Sequence, residues 1–132
     1  MTRRRQRSRR DFERLVLEAL ALLPEPFQRH LENVSVEVED WPSPELLAEA
    51  EVPEGETLFG IYLGVPLTAW GRDELPRLPD RIIIFRGPIE EACATDEEVV
   101  QEVRTTVLHE VGHHFGLSDE ELERWERSKQ DR

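Results

Sequence analysis

The sequence predicts a single α+β domain, and three observations predict it. Three short segments, at 34–39, 57–65 and 81–86, carry strand patterning; amphipathic or capped helical segments stand before and after them. The chain is 132 residues long, which fits one domain with one core. The last long helical segment carries two histidines and a glutamate within five residues, so the domain presents its chemistry from a helix.

In order along the chain, Phe12, Leu15, Val16, Ala19, Leu20 and Leu23 recur at helical spacing, giving a first helix over 11–23. Pro24-Glu25-Pro26 stops it. Val34-Ser35-Val36-Glu37-Val38-Glu39 alternates apolar and polar residues, the period of a strand with one buried face. Pro42-Ser43-Pro44 breaks the chain before a short helix over 45–50. Thr57 to Val65 reads as a second strand, whose Gly60 and Gly64 imply a bulge or a close backbone approach. A loop over 66–80 leads to the most apolar strand, Arg81 to Arg86, closed by Gly87-Pro88. Thr95-Asp96-Glu97-Glu98 is a capping box. It opens a helix with Val99, Val100, Val103, Val107, Val111 and Phe115 as its stripe, ending near Gly116. Ser118 and Glu121 form a second capping box for a short last helix.

Charge is divided sharply. Residues 1–10 hold six arginines and no acid and read as a solvated basic arm; residues 11–132, the folded domain, hold 11 basic and 29 acidic residues, a net of −18. Such a body repels a phosphate backbone, so nucleic-acid binding is expected only through the arm. No uncharged apolar run approaches the roughly 18 residues of a membrane span, so no membrane partner is expected. The single Cys93 excludes an internal disulfide and a cysteine-based zinc cluster. Ser8-Arg9-Arg10-Asp11-Phe12 has the look of a twin-arginine signal. Glu13, Arg14 and Glu18 interrupt the apolar stretch that should follow, so the expected location is cytoplasmic.

The chemistry centres on His109-Glu110-Val111-Gly112-His113. Histidines four apart on a helix stand one turn above each other and can share one tetrahedral zinc ion. Glu110, one step round the helix, is placed to act as general base toward water. A third ligand is needed. Gly116 can take the left-handed conformation that turns the chain back, and Asp119, three residues on, is the candidate. Its alternative role is an acid in the first turn of the last helix, with Glu120, Glu121 and Glu123 as substitutes for ligation. His114 lies on another helix face, beside the site or in solvent; His30 has no partner in the sequence; and Cys93 reads as packing.

The extended motif His109-Glu110-x-x-His113-x-x-Gly116-x-x-Asp119 resembles the zincin metallopeptidases. More closely, residues 11–125 are similar to a small bacterial family of zincin-like proteins. The likeness runs through Phe12–Val16, Asn33-Val34, Val38-Glu39-Asp40, Gly60-Ile61-Tyr62-x-Gly64-Val65-Pro66-Leu67-Thr68, Leu78-Pro79-Asp80-Arg81-Ile82 and Pro88-Ile89-Glu90. The resemblance implies a minimal zincin fold, a small mixed sheet packed on the active-site helix. It also implies His109, His113 and Asp119 as ligands of one Zn2+ ion and Glu110 as base. Larger zincins often place a methionine turn under the metal, but the only methionine here is Met1. In zincins the peptide lies along an edge strand; here that implies 57–65, with Tyr62 and Gly64 as candidate substrate-binding residues. Tyr62 can polarise a carbonyl, or serve as a half-buried strand aromatic.

The expected function is therefore a zinc-dependent hydrolase, a metallopeptidase acting on short peptides or unfolded protein. Two other readings stand beside it: a zinc hydrolase acting on RNA through the arginine arm, and a non-catalytic module that retains zinc to bind a partner.

Overall fold

The computed structural model describes residues 7–64, 80–118 and 120–124. Among these, eight elements follow in order: α1 (Arg9–Ala21), α2 (Glu25–Leu31), β1 (Val34–Glu39), α3 (Pro44–Glu49), β2 (Gly60–Leu63), β3 (Asp80–Phe85), α4 (Arg86–Ala92) and α5 (Asp96–His114). Residues 121–124, and Glu120 before them, are again helical. The domain is α+β, and its sheet is small and mixed. β3 is central, parallel to β1 and antiparallel to β2, with Val36 opposite Ile82 and Tyr62 opposite the same Ile82.

β3 supplies the middle of the core. Ile82 and Ile84 are fully buried on one face, and Phe85 is fully buried as well. Phe12, Leu15, Val16 and Ala19 of α1 pack with Val99, Val103, Val107, Leu108 and Val111 of α5, so the two long helices lie together against the sheet. Each fully buried side chain of this size contributes about 1.5–3 kcal/mol. The expected stripe of α5 holds except at its end: Phe115 is 53% exposed, because the helix has closed by then.

Several expectations on boundaries are corrected. α1 begins at Arg9, because Ser8 caps it by accepting from the backbone N–H of Asp11 at 3.1 Å. Residues 7–10 therefore belong to the folded body and not to an arm ending at residue 10. Arg7 pairs with Glu90 and, at 2.5 Å, with Asp96, and its carbonyl accepts from Arg86. Residues 1–6 lie outside the described residues. Two helices escape the sequence pattern because each carries a proline in its first turn, where the missing N–H is harmless: Pro26 in α2 and Pro88 in α4. β2 is shorter than 57–65, and Val65 falls outside the described residues.

α5 is the best-specified element. Thr95 Oγ1 accepts from the Glu98 N–H at 3.1 Å, while Glu98 reaches back to the Ala94 N–H at 2.6 Å, one residue beyond the expected partner. At the other end Gly116 takes φ +83°, Gly116 N–H donates to the His113 carbonyl and Leu117 N–H to the Gly112 carbonyl. That pair of bonds is a Schellman stop. Ser118 and Glu121 then cap the next helix reciprocally, Ser118 Oγ accepting from Glu121 N–H at 3.2 Å and Glu121 Oε1 from Ser118 N–H at 3.1 Å.

Candidate metal centre

His109, Glu110 and His113 share the last two turns of α5. The rings of His109 and His113 have centroids 6.0 Å apart. Zinc bonds an imidazole nitrogen at about 2.0–2.1 Å, so two rings sharing one ion stand roughly 5–6 Å apart. The pair therefore fits a zinc ion, with two nitrogen donors of the right kind and spacing. His109 is half-buried with Nε2 shut off from solvent, and His113 is exposed. Asp119, the expected third ligand, lies outside the described residues. Among the described residues no cluster of three or more His, Cys, Asp or Glu is arranged to hold a metal. Glu121 is committed to the Ser118 cap, whose N–H and hydroxyl hold its carboxylate below the usual range.

β2 brings the sheet to this helix. Phe59 and Phe85 are a hydrogen-bonded pair, so in the antiparallel alternation Ile61 and Leu63 also face β3 and Tyr62 turns its backbone groups outward. The outward N–H of Tyr62 donates to Glu110 Oε1 at 3.1 Å. Burial pushes the Glu110 carboxyl above the ordinary value, opposed by that N–H and by His113 and His109. The two glycines of this strand are explained by close approach. A Cβ at Gly60 would sit 2.8 Å from Thr106 Cγ2 of α5; one at Gly64 would sit 2.9 Å from Tyr62 Cε1 and 3.0 Å from His114 Cε1.

The Tyr62 side chain leaves Glu110 and enters a second group. Its hydroxyl donates to Asp80 Oδ2 at 2.5 Å and lies 3.0 Å from His30 Nε2. The phenol proton being given to Asp80, His30 is the donor in that contact, through its Nε2–H. Burial, with His114 nearby, holds the His30 imidazole below its usual range, and Asp80 opposes this. His114 stacks on Tyr62 with centroids 4.2 Å apart, and Phe115 meets His30 edge-on at 4.6 Å. The structure thus brings Tyr62 and Gly64 to the HExxH helix, Tyr62 touching Glu110 through its backbone.

His30 and Asp80 are the residues that sequence reasoning misses. Neither is given a role there: His30 is noted without a partner because α2 is hidden, and Asp80 enters only within the stretch 78–82 that resembles the family. Cys93 is buried at the end of α4, as packing would have it.

A helix carrying two spaced histidines and a glutamate, packed beside the edge strand of a small mixed sheet, defines the zincin class of fold. The profile of the zincin-like metallopeptidase family matches residues 31–128, and the chain belongs to that family. It is also similar to the solved structure of a conserved hypothetical protein from Thermo thermophilus. The identity is 30% and the TM-score 0.55, over 83% of this chain and 94% of that one. No curated protein matches. Among the described residues no helix is long and apolar enough to cross a membrane.

Proposed function

We propose that the chain is a zinc-dependent peptidase acting on short or unfolded peptides. The observation that carries this is the Glu110 carboxylate, fixed by the edge-strand N–H of Tyr62 on the helix that presents His109 and His113 as a metal-binding pair. Zinc held by His109 and His113, with Asp119 as third ligand, supplies a Lewis acid for a peptide carbonyl and acidifies water. Glu110 is the general base: with Oε1 bound to Tyr62, Oε2 takes the proton of the attacking water and delivers it to the leaving amine. With the Tyr62 N–H given to Glu110, the outward Tyr62 carbonyl of β2 and the backbone of Gly64 just beyond the strand would offer pairing to an extended substrate without regard to its side chains.

Against the RNA reading stand Arg7 and Arg9, two of the arm's six arginines, which pair with the body's own carboxylates Glu90, Asp96, Glu13 and Asp40; Arg3, Arg4 and Arg5 lie outside the described residues. The proposed location is the cytoplasm, supported by α1, whose buried Phe12, Leu15, Val16 and Ala19 an export cleavage would strip from the core.

Elemental analysis of the purified chain tests the metal: about one zinc per chain is expected, with loss in His113→Ala. Glu110→Gln is expected to keep the zinc and the fold while abolishing cleavage of a peptide library. A folded wild-type chain without metal, or full turnover by Glu110→Gln, overturns the reading.

A further inference from the structure

Three carboxylates in and around the sheet each face an arginine. Glu37 takes Arg81 at 2.8 Å, Asp40 takes Arg86 at 3.2 Å, and Glu90 takes Arg7. Asp80, like Glu110, faces no arginine among the described residues. The Asp80 side chain is only 16% exposed, and among the described residues it accepts from the Tyr62 hydroxyl, stands 3.9 Å from His114 Nε2 and interacts electrostatically with His30. Its neighbour Arg81 points across the strand to Glu37 instead.

This carboxylate adjoins Tyr62 and Gly64, the edge along which the proposed peptide would lie. It shares Tyr62 with the Glu110 site, and a Cβ at Gly64 would lie 3.4 Å from its Cγ. Tyr62 and His114 reach it directly, His30 meets the Tyr62 hydroxyl, and Phe115, 53% exposed, flanks the group with its ring 4.6 Å from His30 and 6.0 Å from His114. His114 and Phe115 also end α5, where the helix dipole presents partial negative charge. A carboxylate, exposed ring surface and a helix C-terminus all favour the same thing, a cation. The acidic body, net −18 over residues 11–132, adds a long-range field of that sign preference.

We infer that Asp80 and Phe115 form an anchor for a basic side chain, arginine or lysine, of the bound peptide. The ligand's guanidinium or ammonium takes the place that Arg81, Arg86 and Arg7 fill at the other carboxylates, while its aliphatic stem lies on the ring of Phe115. The inference rests on the peptidase reading and adds the substrate class to it.

The test is binding, kept separate from turnover. Zinc-loaded Glu110→Gln full-length chain is titrated by NMR with three blocked pentapeptides, Ala-Ala-X-Ala-Ala with X as Arg, Gln or Glu, at low salt. The arginine peptide is expected to bind at least fivefold tighter than the glutamine peptide, and the glutamate peptide weakest. Asp80→Asn and Phe115→Ala should each cut the Arg-over-Gln ratio by at least half while leaving the glutamine peptide's affinity unchanged. Asparagine can still accept from Tyr62, and Phe115 is exposed, so both variants are expected to fold; thermal melts check this. Equal affinities, no binding of any peptide, or an arginine preference undiminished in both variants overturns the anchor. Preferential binding with no cleavage by the wild-type chain would overturn the peptidase reading and leave the anchor standing.

Discussion

A methyl group added at Gly112 would lie 2.2 Å from Leu122 Cδ2 and 3.1 Å from its Cγ, in a place where Leu122 is fully buried. The small residue inside the His109–His113 motif is thus what allows the chain beyond Gly116 to fold back onto α5. Gly112→Ala gains about 1 kcal/mol in helix propensity but overpacks a closed site, at about 1–3 kcal/mol. The expected result is a net loss of about 1 kcal/mol in urea melts. In a Gly112→Ala/Leu122→Ala double variant, the loss should be smaller than the two single losses added, since the second change removes the clash that the first creates. At this scale the sequence is informative wherever chemistry follows linear spacing. His109, Glu110 and His113 are legible because four residues make about one turn. The His30–Tyr62 and Tyr62–Asp80 bonds span 32 and 18 residues and exist only because β2 and β3 pair and α2 lies beside them. No local pattern announces such a meeting.

Capping decides where the helices begin, and it is also what makes some of them readable. α5 is found because Thr95 announces it, and Ser43, read only as part of a break, proves to cap α3; α2 and α4 have no side-chain cap bond, and their prolines read as breaks. β1 is legible in full, because its strict alternation has one meaning for a six-residue segment. Thr95→Ala should cost α5 about 1 kcal/mol by freeing the Glu98 N–H. Chemical denaturation measures that loss. The same variant should leave zinc content unchanged, because the cap and the histidines occupy opposite ends of a 19-residue helix.

Across the whole molecule the acidic surface makes stability depend on pH through a few paired groups. Arg81 and then Ser35 bond the Glu37 carboxylate and hold it down at about 2, from an ordinary 4.5. A depressed carboxylate stabilises the fold above its unfolded value, and that contribution is lost as pH falls through its folded value. Wild type should therefore exceed Glu37→Gln in stability at neutral pH. The gap should close between pH 4.5 and about 2, as followed by circular dichroism in acid titration. It should stay below about 1 kcal/mol, because both partners are more than a third exposed. The sheet order has a different kind of consequence, in the sequence of events during synthesis. Among the described residues β3 is the only strand that bonds to both of the others, and it is the last of the three along the chain. β1 and β2 do not pair with each other, so a growing chain holds two strands waiting until residue 85 has emerged. Closing the parallel pair spans 46 residues from Val34 to Asp80, a slow, non-local step. The histidines of α5 follow still later. The nascent protein thus pairs its sheet before the residues of the proposed metal centre have emerged.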